Sequence, residues 1–303
     1  RNEASMICTH GHSICISEER NLVVFGSNVN GELGCITENV FPPKVPLALG
    51  TISIKSVKCG DRHTVCLDVN GNVFSFGSNK YGQLGINKRK ELFSHSHIPQ
   101  KVELPVIKQI ACGINFTICL CESGNLYSFG LNVTGQLGIG NTRDYIAPQL
   151  IETLQDIEFV ECGGSFAVCK SYDNSIYCWG NNFHGQLGNG DRYSKHSPVK
   201  CVNWPDDTID IKCGLVHILL LTFKGDVYAC GYNESGQLGL QSDVPSCGNL
   251  KILKSISNIV RIECGEQHSM CIDKDNHLFV FGDNSYGQLG LGDTSNRNEP
   301  IKH

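Results

Sequence analysis

A ten-residue signature, read as Phe-Gly-Ser-Asn-Lys-Tyr-Gly-Gln-Leu-Gly over residues 76–85, occurs six times along the chain of 303 residues. A period near 51 residues indicates one supersecondary unit repeated in tandem, so this feature constrains the fold more than any other. The six copies begin at Phe25, Phe76, Phe129, Trp179, Cys230 and Phe281. Six such units account for nearly the whole chain.

Each repeat contains short, alternating apolar runs bounded by Gly and Asn, which predict antiparallel β-strands. In the second copy these runs cover residues 54–58, 64–69, 72–76 and 99–102. Asn70-Gly71 between the second and third runs predicts a two-residue hairpin with a primed turn. This turn position is held by Gly71, Gly124, Asn174, Gly225 and Asn276, and by Arg20 in the first copy. Four strands per repeat predict one blade of a β-propeller.

The two ends of the chain predict how the ring closes. Residues 299–303 match the last strand segment of the fourth copy, and the chain begins inside a repeat. We therefore expect one blade to be shared by both ends, so that the N- and C-terminal strands close the ring. The prediction is an all-β propeller of six blades, with seven as the alternative, in one domain spanning 1–303. The repeats are placed around 8–58, 59–111, 112–161, 162–212, 213–263 and 264–303 with 1–7.

Charge and hydrophobicity exclude two classes of partner. The formal net charge is −5, from 25 basic and 30 acidic residues, and no basic tail or stripe is present. A nucleic-acid-binding surface would require such a positive footprint, so we expect no direct nucleic-acid partner. No apolar run reaches the roughly 20 residues that a membrane-spanning helix needs, so we expect no membrane partner.

The spacing of the 17 cysteines matches the repeat period better than it matches a disulfide framework. One repeat position is Cys in every copy, and a second is Cys in five copies and Leu220 in the other. Leu as a replacement indicates that the second position requires a buried apolar group, which a free Cys supplies. We therefore expect reduced thiols and an intracellular protein, cytoplasmic or nuclear. The net charge of −5 does not support chromatin binding. The two sets are Cys8, Cys59, Cys112, Cys162, Cys213 and Cys264, and Cys15, Cys66, Cys119, Cys169 and Cys271.

Two motifs in register carry a family resemblance. Cys-Gly-x-x-His, followed at a constant distance by Gly-x-Asn-x-x-Gly-Gln-Leu-Gly, resembles the repeat of the regulator of chromosome condensation, over essentially the whole chain. The resemblance implies a β-propeller and a protein partner, for which a Ran-like small GTPase subject to nucleotide exchange is one expectation. It also implies the alternative, a docking or inhibitory module of a larger signalling or ubiquitin-pathway protein. The links between copies differ by at most three residues, so no copy carries an inserted wedge of the kind that exchange implies.

One repeat position holds four histidines, with Phe in the two remaining copies. Either these histidines form a titratable ring on one face, or they pack internally and bond locally. Phe as a replacement favours internal packing. The residues are His12, His63, His217 and His268, with Phe116 and Phe166 in the other copies.

The links that follow each signature vary in length and composition, and variable loops are where binding residues usually lie. No Ser, Cys or carboxylate stands outside the repeat beside a unique His, so we predict no catalytic residues, no metal and no cofactor. We expect a monomeric propeller that binds its partner through charged and aromatic link residues. The candidates are Lys88, Arg89, Lys90, Arg143, Asp144, Asp191, Arg192, Tyr193, Asp293 and Arg297.

Overall fold

The computed structural model describes residues 6–8, 12–36, 39–46, 49–50, 52–88, 94–241 and 244–303. These residues form 24 β-strands, named β1 to β24 in chain order. The chain divides into two compact units, Arg1–Cys162 and Gly163–His303. No helix of bilayer-spanning length and apolarity occurs in the described part of the chain.

The first unit contains three four-stranded sheets and the strand that follows them. The first sheet consists of β1 (Met6–Cys8), β2 (His12–Ile16), β3 (Leu22–Ser27) and β4 (Asn39–Lys44). The second consists of β5 (Ile54–Cys59), β6 (His63–Asp68), β7 (Val73–Ser78) and β8 (His95–Val102). The third consists of β9 (Ile107–Cys112), β10 (Phe116–Cys121), β11 (Leu126–Gly130) and β12 (Tyr145–Leu150), and β13 (Ile157–Cys162) follows.

The second unit begins at β14 and ends with the last strand of the sixth sheet. The fourth sheet continues through β14 (Phe166–Ser171), β15 (Ile176–Gly180) and β16 (Lys195–Lys200). The fifth consists of β17 (Thr208–Cys213), β18 (His217–Thr222), β19 (Val227–Tyr232) and β20 (Ser246–Ile252). The sixth consists of β21 (Ile259–Cys264), β22 (His268–Asp273), β23 (Leu278–Gly282) and β24 (Arg297–Lys302).

The six four-stranded sheets confirm the prediction of six blades. Each sheet is built from four strands consecutive in the chain, paired antiparallel in meander order. The predicted blade shared by both chain ends is wrong for the described strands, because β24 pairs with β23 and β1 pairs with β2. The match between residues 299–303 and the fourth copy reflects the outer strand of a blade, not its first strand. Closure of the ring and the single domain stay predictions.

The hairpin between β6 and β7 differs in turn type from the prediction. The Gly71 amide bonds to the Asp68 carbonyl and the Asp68 amide to the Asn72 carbonyl, so the reversal spans Asp68 to Asn72. Only Gly71 has positive φ, at +82°, whereas a primed two-residue turn would require it at Asn70 as well. Positive φ is found at this repeat position in every copy, including the first, where Arg20 stands in place of Gly or Asn; the residues are Arg20, Gly71, Gly124, Asn174, Gly225 and Asn276.

The hydrophobic core lies between consecutive sheets. One buried cluster joins Val65 and Leu67 of β6 to Ile110 of β9, Cys119 of β10 and Phe129 of β11. Corresponding clusters pack the first sheet on the second and the fifth on the sixth. A single blade therefore cannot bury its own apolar faces, which explains why the unit must be repeated. Cys66, Cys119, Cys169, Cys271 and Leu220 are fully buried, as predicted for that position, whereas Cys15 of the first copy is half-buried.

Candidate protein-binding surface

The asparagine of the signature fixes the loop that follows the third strand of each blade. Its Oδ1 accepts the amide of the Leu five residues later, at 2.7 Å for Asn28 and Leu33 and 3.0 Å for Asn182 and Leu187. The asparagine side chain thus bonds to its own backbone and holds the turn. The same bond is made by Asn79, Asn132, Asn233 and Asn284.

The Gln at the eighth position of the signature also stabilises the loop. Gln83 Oε1 accepts the Tyr81 amide at 2.9 Å, and Glu32, which replaces Gln in the first copy, accepts the Asn30 amide at 2.8 Å. With both side chains turned inward, the residue directly after the asparagine is left exposed in every copy. It is Val29, Lys80, Val133, Phe183, Glu234 or Ser285.

The histidine of the Cys-Gly-x-x-His motif bonds to the next repeat. His63 Nε2 lies 3.1 Å from Thr117 Oγ1, and the Thr117 hydroxyl donates to the Gln83 carbonyl at 2.9 Å. Because the hydroxyl proton is used on Gln83, His63 Nε2 must carry the imidazole proton and donate it. The same arrangement is formed by His217, Ser269 and Gln237.

These histidines lie in the interior and not on an exposed face. His63 and His217 are 0% exposed, and burial lowers the pKa of each to about 3, so both are neutral at pH 7. Gly60 makes room for this packing, because a Cβ there would lie 2.2 Å from His63 Cε1. His12 is also buried and His268 is half-buried, and burial is the main cause that lowers the pKa of both.

Asp191 holds the link that follows the fourth signature. Its carboxylate accepts Asn182 Nδ2 at 2.8 Å, Lys195 Nζ at 2.6 Å and the Tyr193 amide at 2.9 Å. Partial burial raises the pKa of the Asp191 carboxyl, but these bonds outweigh burial and bring the pKa below its usual value. Asp191 therefore orders the loop that presents its neighbours.

Two other aspartates that were predicted to contact a partner also hold their own links through hydrogen bonds. Asp293 accepts Arg297 Nη2 at 2.6 Å and Asn284 Nδ2 at 3.1 Å, so the predicted contact residue Arg297 is already paired within its loop. Asp144 accepts the Asn132 amide at 2.9 Å. In all three links the predicted acidic residue bonds to the asparagine of the preceding signature.

Exposed and half-buried residues of the fourth link and of two neighbouring signatures form a cluster, which we call the aromatic–cationic surface. Phe183 is 62% exposed and Tyr193 is 77% exposed. Arg192 Nη1 donates to the Phe183 carbonyl at 3.3 Å, which ties the link to the signature loop. The His184 ring packs edge-on against Tyr232, with centroids 4.8 Å apart. The surface consists of Phe183, His184, Arg192, Tyr193, Tyr232 and Glu234.

Of the predicted link residues, the structure brings Arg192 and Tyr193 together on this surface. Arg143 is exposed in the corresponding link of the third repeat, and half-buried Lys88 donates to Gln100 Oε1 at 3.2 Å. Arg89 and Lys90 lie outside the described residues.

Sequence reasoning missed Phe183, His184, Tyr232 and Glu234 because all four were assigned to the regular repeat. A signal was present: a large aromatic residue, Phe183, stands at a loop position that carries no structural role.

One acidic turn has donor atoms close together. Ligand atoms of Asp273, Asp275 and His277 lie within 4.8 Å of one another. Asp273 Oδ1 accepts the amides of Asp275 and His277, and Oδ2 lies 2.9 Å from His277 Nδ1. The hairpin turn at Asp68 is closed in the same way, with Asn72 Nδ2 donating to Asp68 Oδ2 at 2.8 Å. The cluster is thus accounted for by the hairpin turn itself.

Comparison with known proteins agrees with this architecture. The family model described as RCC1-like domain matches residues 2–246, and the model of the regulator of chromosome condensation (RCC1) repeat matches residues 224–272 and 275–303. The X-linked retinitis pigmentosa GTPase regulator of Homo sapiens is 38% identical over 290 residues, covering 94% of this chain. The ultraviolet-B receptor UVR8 of Arabidopsis thaliana is 30% identical over 298 residues, covering 97% of this chain.

The chain spans 28% of the length of the human regulator and 56% of the plant receptor, so it corresponds to one part of each relative. Among solved structures, yeast RCC1 (Prp20) in its complex with Kap60 superposes with a TM-score of 0.87 at 20% identity, covering 98% of this chain and 74% of that chain. This similarity concerns the fold. With six four-stranded blades, the signature in every blade and a domain match over most of its length, the chain belongs to the RCC1-like domain family of β-propellers.

Proposed function

We propose that this propeller is a protein-docking module that acts through its aromatic–cationic surface, without covalent chemistry. The observation that carries the proposal is the exposure of Phe183, Arg192 and Tyr193 on two loops, which Arg192 ties together and Asp191 holds from within. Aromatic residues and Arg are the types most enriched among residues that dominate binding energy at protein interfaces.

The surface is pre-organised, which lowers the entropy cost of binding. Asn182 closes the signature loop through Leu187, and Asp191 fixes the link through Lys195 and the Tyr193 amide. A partner would therefore meet side chains whose backbone is already ordered. The polar rim needed around such a centre is supplied by Glu234, which accepts a hydrogen bond from the Tyr232 hydroxyl.

The test is a comparison of partners captured by the wild-type chain and by the double variant Phe183→Ala/Tyr193→Ala, quantified by mass spectrometry. We expect the specific partners to be lost in the variant, because each aromatic anchor contributes about 1–3 kcal/mol at an interface centre. Partner capture unchanged in this variant would contradict the proposal.

A matched control exists in the same unit. Tyr172 and Phe223 are exposed aromatics, 64% and 81%, in hairpin turns at the opposite ends of their strands from the signature loops. The double variant Tyr172→Ala/Phe223→Ala removes the same kind of surface, and we expect it to retain the partners. Loss of the partners in this control alone would place binding on the hairpin turns.

A second candidate function is nucleotide exchange on, or regulation of, a Ran-like small GTPase. It is favoured by the 38% identity, over 94% of this chain, to a protein named as a GTPase regulator. The experiment is release of a fluorescent GDP analogue from a Ran-type GTPase with and without the chain. Acceleration that falls at least tenfold in Phe183→Ala/Tyr193→Ala would support exchange through the same surface. No acceleration with the folded chain would leave docking alone.

We further propose that the protein is intracellular and that the propeller is monomeric. The 16 cysteines whose side chains the structure describes are free thiols, in keeping with a reducing compartment. Size-exclusion chromatography with light scattering tests the monomer, and microscopy of the tagged protein tests the location.

A further inference from the structure

Two cysteines outside the repeat pattern lie in contact in the fourth blade. Cys201 Sγ is 3.1 Å from Cys178 Sγ and donates to it, and both residues are free thiols. Cys178 in turn donates to the Leu187 carbonyl at 3.3 Å. The pair is distinct from the two cysteine sets that recur through the chain.

The other repeats show what these two positions hold when no pair is formed. The position of Cys178 is Ser75 in the second copy, and Ser75 donates to the Leu84 carbonyl just as Cys178 donates to Leu187. The position of Cys201 is Val102 in the second copy, where Val102 is buried. The fourth repeat therefore differs from the second at both positions, and the two cysteines bring their sulfur atoms into contact.

The backbone places the pair on neighbouring antiparallel strands. Cys178 of β15 is opposite Val199 of β16, and the Cys201 amide bonds to the Ile176 carbonyl at 2.8 Å. The two cysteines are thus diagonal neighbours on one face of the sheet. Closing a disulfide requires the sulfurs to approach by about 1 Å, to a bond length of about 2.05 Å. Strand β16 ends at Lys200, and Cys201 is the next residue. The backbone outside the strand can supply this movement.

Access to the pair is limited to small molecules. Cys178 is 0% exposed and Cys201 is 8% exposed. Cys201 lines a cavity of about 300 Å³ together with Ile176, Lys200 and Trp204. The cavity lies beside Cys201, whose remaining exposure offers a small oxidant such as a peroxide a route to this residue, whereas Cys178 is fully enclosed.

We propose that Cys178 and Cys201 are an oxidation site that closes to an intrablade disulfide on reaction with a peroxide. The Cys201 sulfur attacks one peroxide oxygen, the O–O bond breaks, and water leaves with the thiol proton, giving a sulfenic acid. The Cys178 sulfur then attacks the Cys201 sulfur. The S–S bond forms, the S–O bond breaks, and a second water leaves with the Cys178 proton. Two electrons pass from the sulfurs to the peroxide.

The bond between the thiols and burial both raise the pKa of Cys201, so little thiolate is present at neutral pH. The thiolate is the reactive form, and the first step should therefore be slow at pH 7 and faster at pH 9. This makes the pair a site for sustained oxidant exposure and not a fast peroxide scavenger.

The disulfide would enclose residues 179–200, which carry Phe183, Arg192 and Tyr193 of the aromatic–cationic surface. Cross-linking at the base of this segment would restrict opening of β16 and of the loops above it. The chemistry of the site is independent of the proposed docking function, and its test does not use a partner.

The experiment treats the full chain with hydrogen peroxide, blocks the remaining thiols and maps tryptic peptides without reduction. Trypsin places Cys178 in Ser171–Arg192 and Cys201 in Cys201–Lys212, and neither peptide contains another cysteine. We expect these two peptides joined with the loss of two hydrogens, and separated again by dithiothreitol. The melting temperature should rise by roughly 5 °C on oxidation, as expected for a cross-link over such a loop.

Two single variants that copy the second repeat serve as controls. Cys178→Ser and Cys201→Val introduce the residues found at Ser75 and Val102, and neither should form the cross-link or gain melting temperature with peroxide. The accessible Cys247 reports that oxidation took place. Oxidation of Cys247 without the expected peptide pair would overturn the proposal, and so would a cross-link from Cys178 to the Asp144–Lys170 peptide, which holds Cys162 and Cys169.

Discussion

His63 and Thr117 lie in consecutive repeats and act as one hydrogen-bonding pair. The position of Thr117 can be followed through the other repeats. It holds Thr64 in the repeat after His12 and Ser269 in the repeat after His217, whereas it holds Ile218 in the repeat after Phe166. A hydroxyl is present one repeat after each of these histidines, and an apolar residue after Phe. The pairing is visible in the sequence only once the bond is known, because the partners are about fifty residues apart.

The buried histidines make stability depend on pH. The folded pKa of His63 is about 3, below the unfolded value of 6.5, so its stabilising effect is complete above about pH 6.5 and is lost as the pH falls toward 3. Between pH 7 and 5 the free energy of unfolding should fall by about 2 kcal/mol for this one residue. Urea unfolding of the wild-type chain at the two pH values measures the fall.

The double variant His63→Phe/Thr117→Ala isolates this effect. It reproduces the residues found at Phe116 and Ala167, so it should fold. Between pH 7 and 5, its free energy of unfolding should fall by about 2 kcal/mol less than that of the wild type. His196 is exposed, and His196→Phe should retain the full wild-type dependence. Identical pH curves for the wild type and the double variant would contradict the assignment to His63.

At the scale of elements, the hairpin turn and the link determine how each blade is joined. The turn needs one residue with positive φ, and Arg20 and Asn174 show that a side chain is accepted there. The link needs a short polar side chain that bonds back to the signature, as Asp191 does to Asn182. Both requirements concern backbone geometry and local bonds, so they act within one repeat.

Gly71 tests the turn. Gly71→Asn should lower the free energy of unfolding by less than about 1 kcal/mol, because Asn tolerates this conformation and occupies the position in two other copies. Gly71→Val should cost about 2 kcal/mol or more, because a β-branched residue does not adopt positive φ readily. Urea unfolding of both variants provides the measurement. Equal losses for Asn and Val would mean that space near Val106, and not φ, limits this position.

Asp191 tests the link. Asp191→Ala removes acceptors for Asn182, Lys195 and the Tyr193 amide and should cost about 1–2 kcal/mol of stability, with faster amide exchange over residues 190–195. Asp191→Asn should cost less, because Asn141 holds the same place in the third repeat and bonds the Arg143 amide at 2.9 Å. Hydrogen exchange by mass spectrometry distinguishes the two. Protection unchanged in the Ala variant would show that the link is held by other contacts.

At the scale of the whole molecule, packing and recognition are carried by different residues. The core is formed by apolar side chains shared between consecutive sheets, and the exposed signature and link positions contribute little to it. Stability and binding should therefore respond to separate sets of mutations. This separation is expected in repeat proteins, where each unit is stabilised by its neighbours.

Phe129 and Phe183 make this separation measurable. Phe129 is 0% exposed and packs against Gly85, whose added Cβ would lie 2.7 Å from the ring, so Phe129→Ala should cost about 3–5 kcal/mol of stability. Phe183→Ala should change stability by less than about 0.5 kcal/mol and reduce partner binding. Urea unfolding and partner capture test each variant. A stability loss in Phe183→Ala near that of Phe129→Ala would contradict the division.

The repeat period, the antiparallel strands and the six blades followed from the sequence, because glycine and asparagine mark turns and apolar alternation marks strands. The prediction of a blade shared by both chain ends was wrong. The sequence of β24 resembles the last strand of every copy, and only the strand pairing shows to which sheet it belongs. The aspartates of the links resemble free contact residues in sequence, but their bonds to signature asparagines appear only in three dimensions. The surface around Phe183 required the fold, because Tyr232 joins it from another repeat.

The residue that follows each signature asparagine is exposed, and the loop closes through its neighbours without using it. In one chain this position already holds valine, lysine, phenylalanine, glutamate and serine, so its chemistry is free to diverge while the frame stays constant. A library randomised at these six positions should consist mostly of folded molecules with altered specificity, which makes the domain a candidate scaffold for engineered affinity reagents. The positions are Val29, Lys80, Val133, Phe183, Glu234 and Ser285.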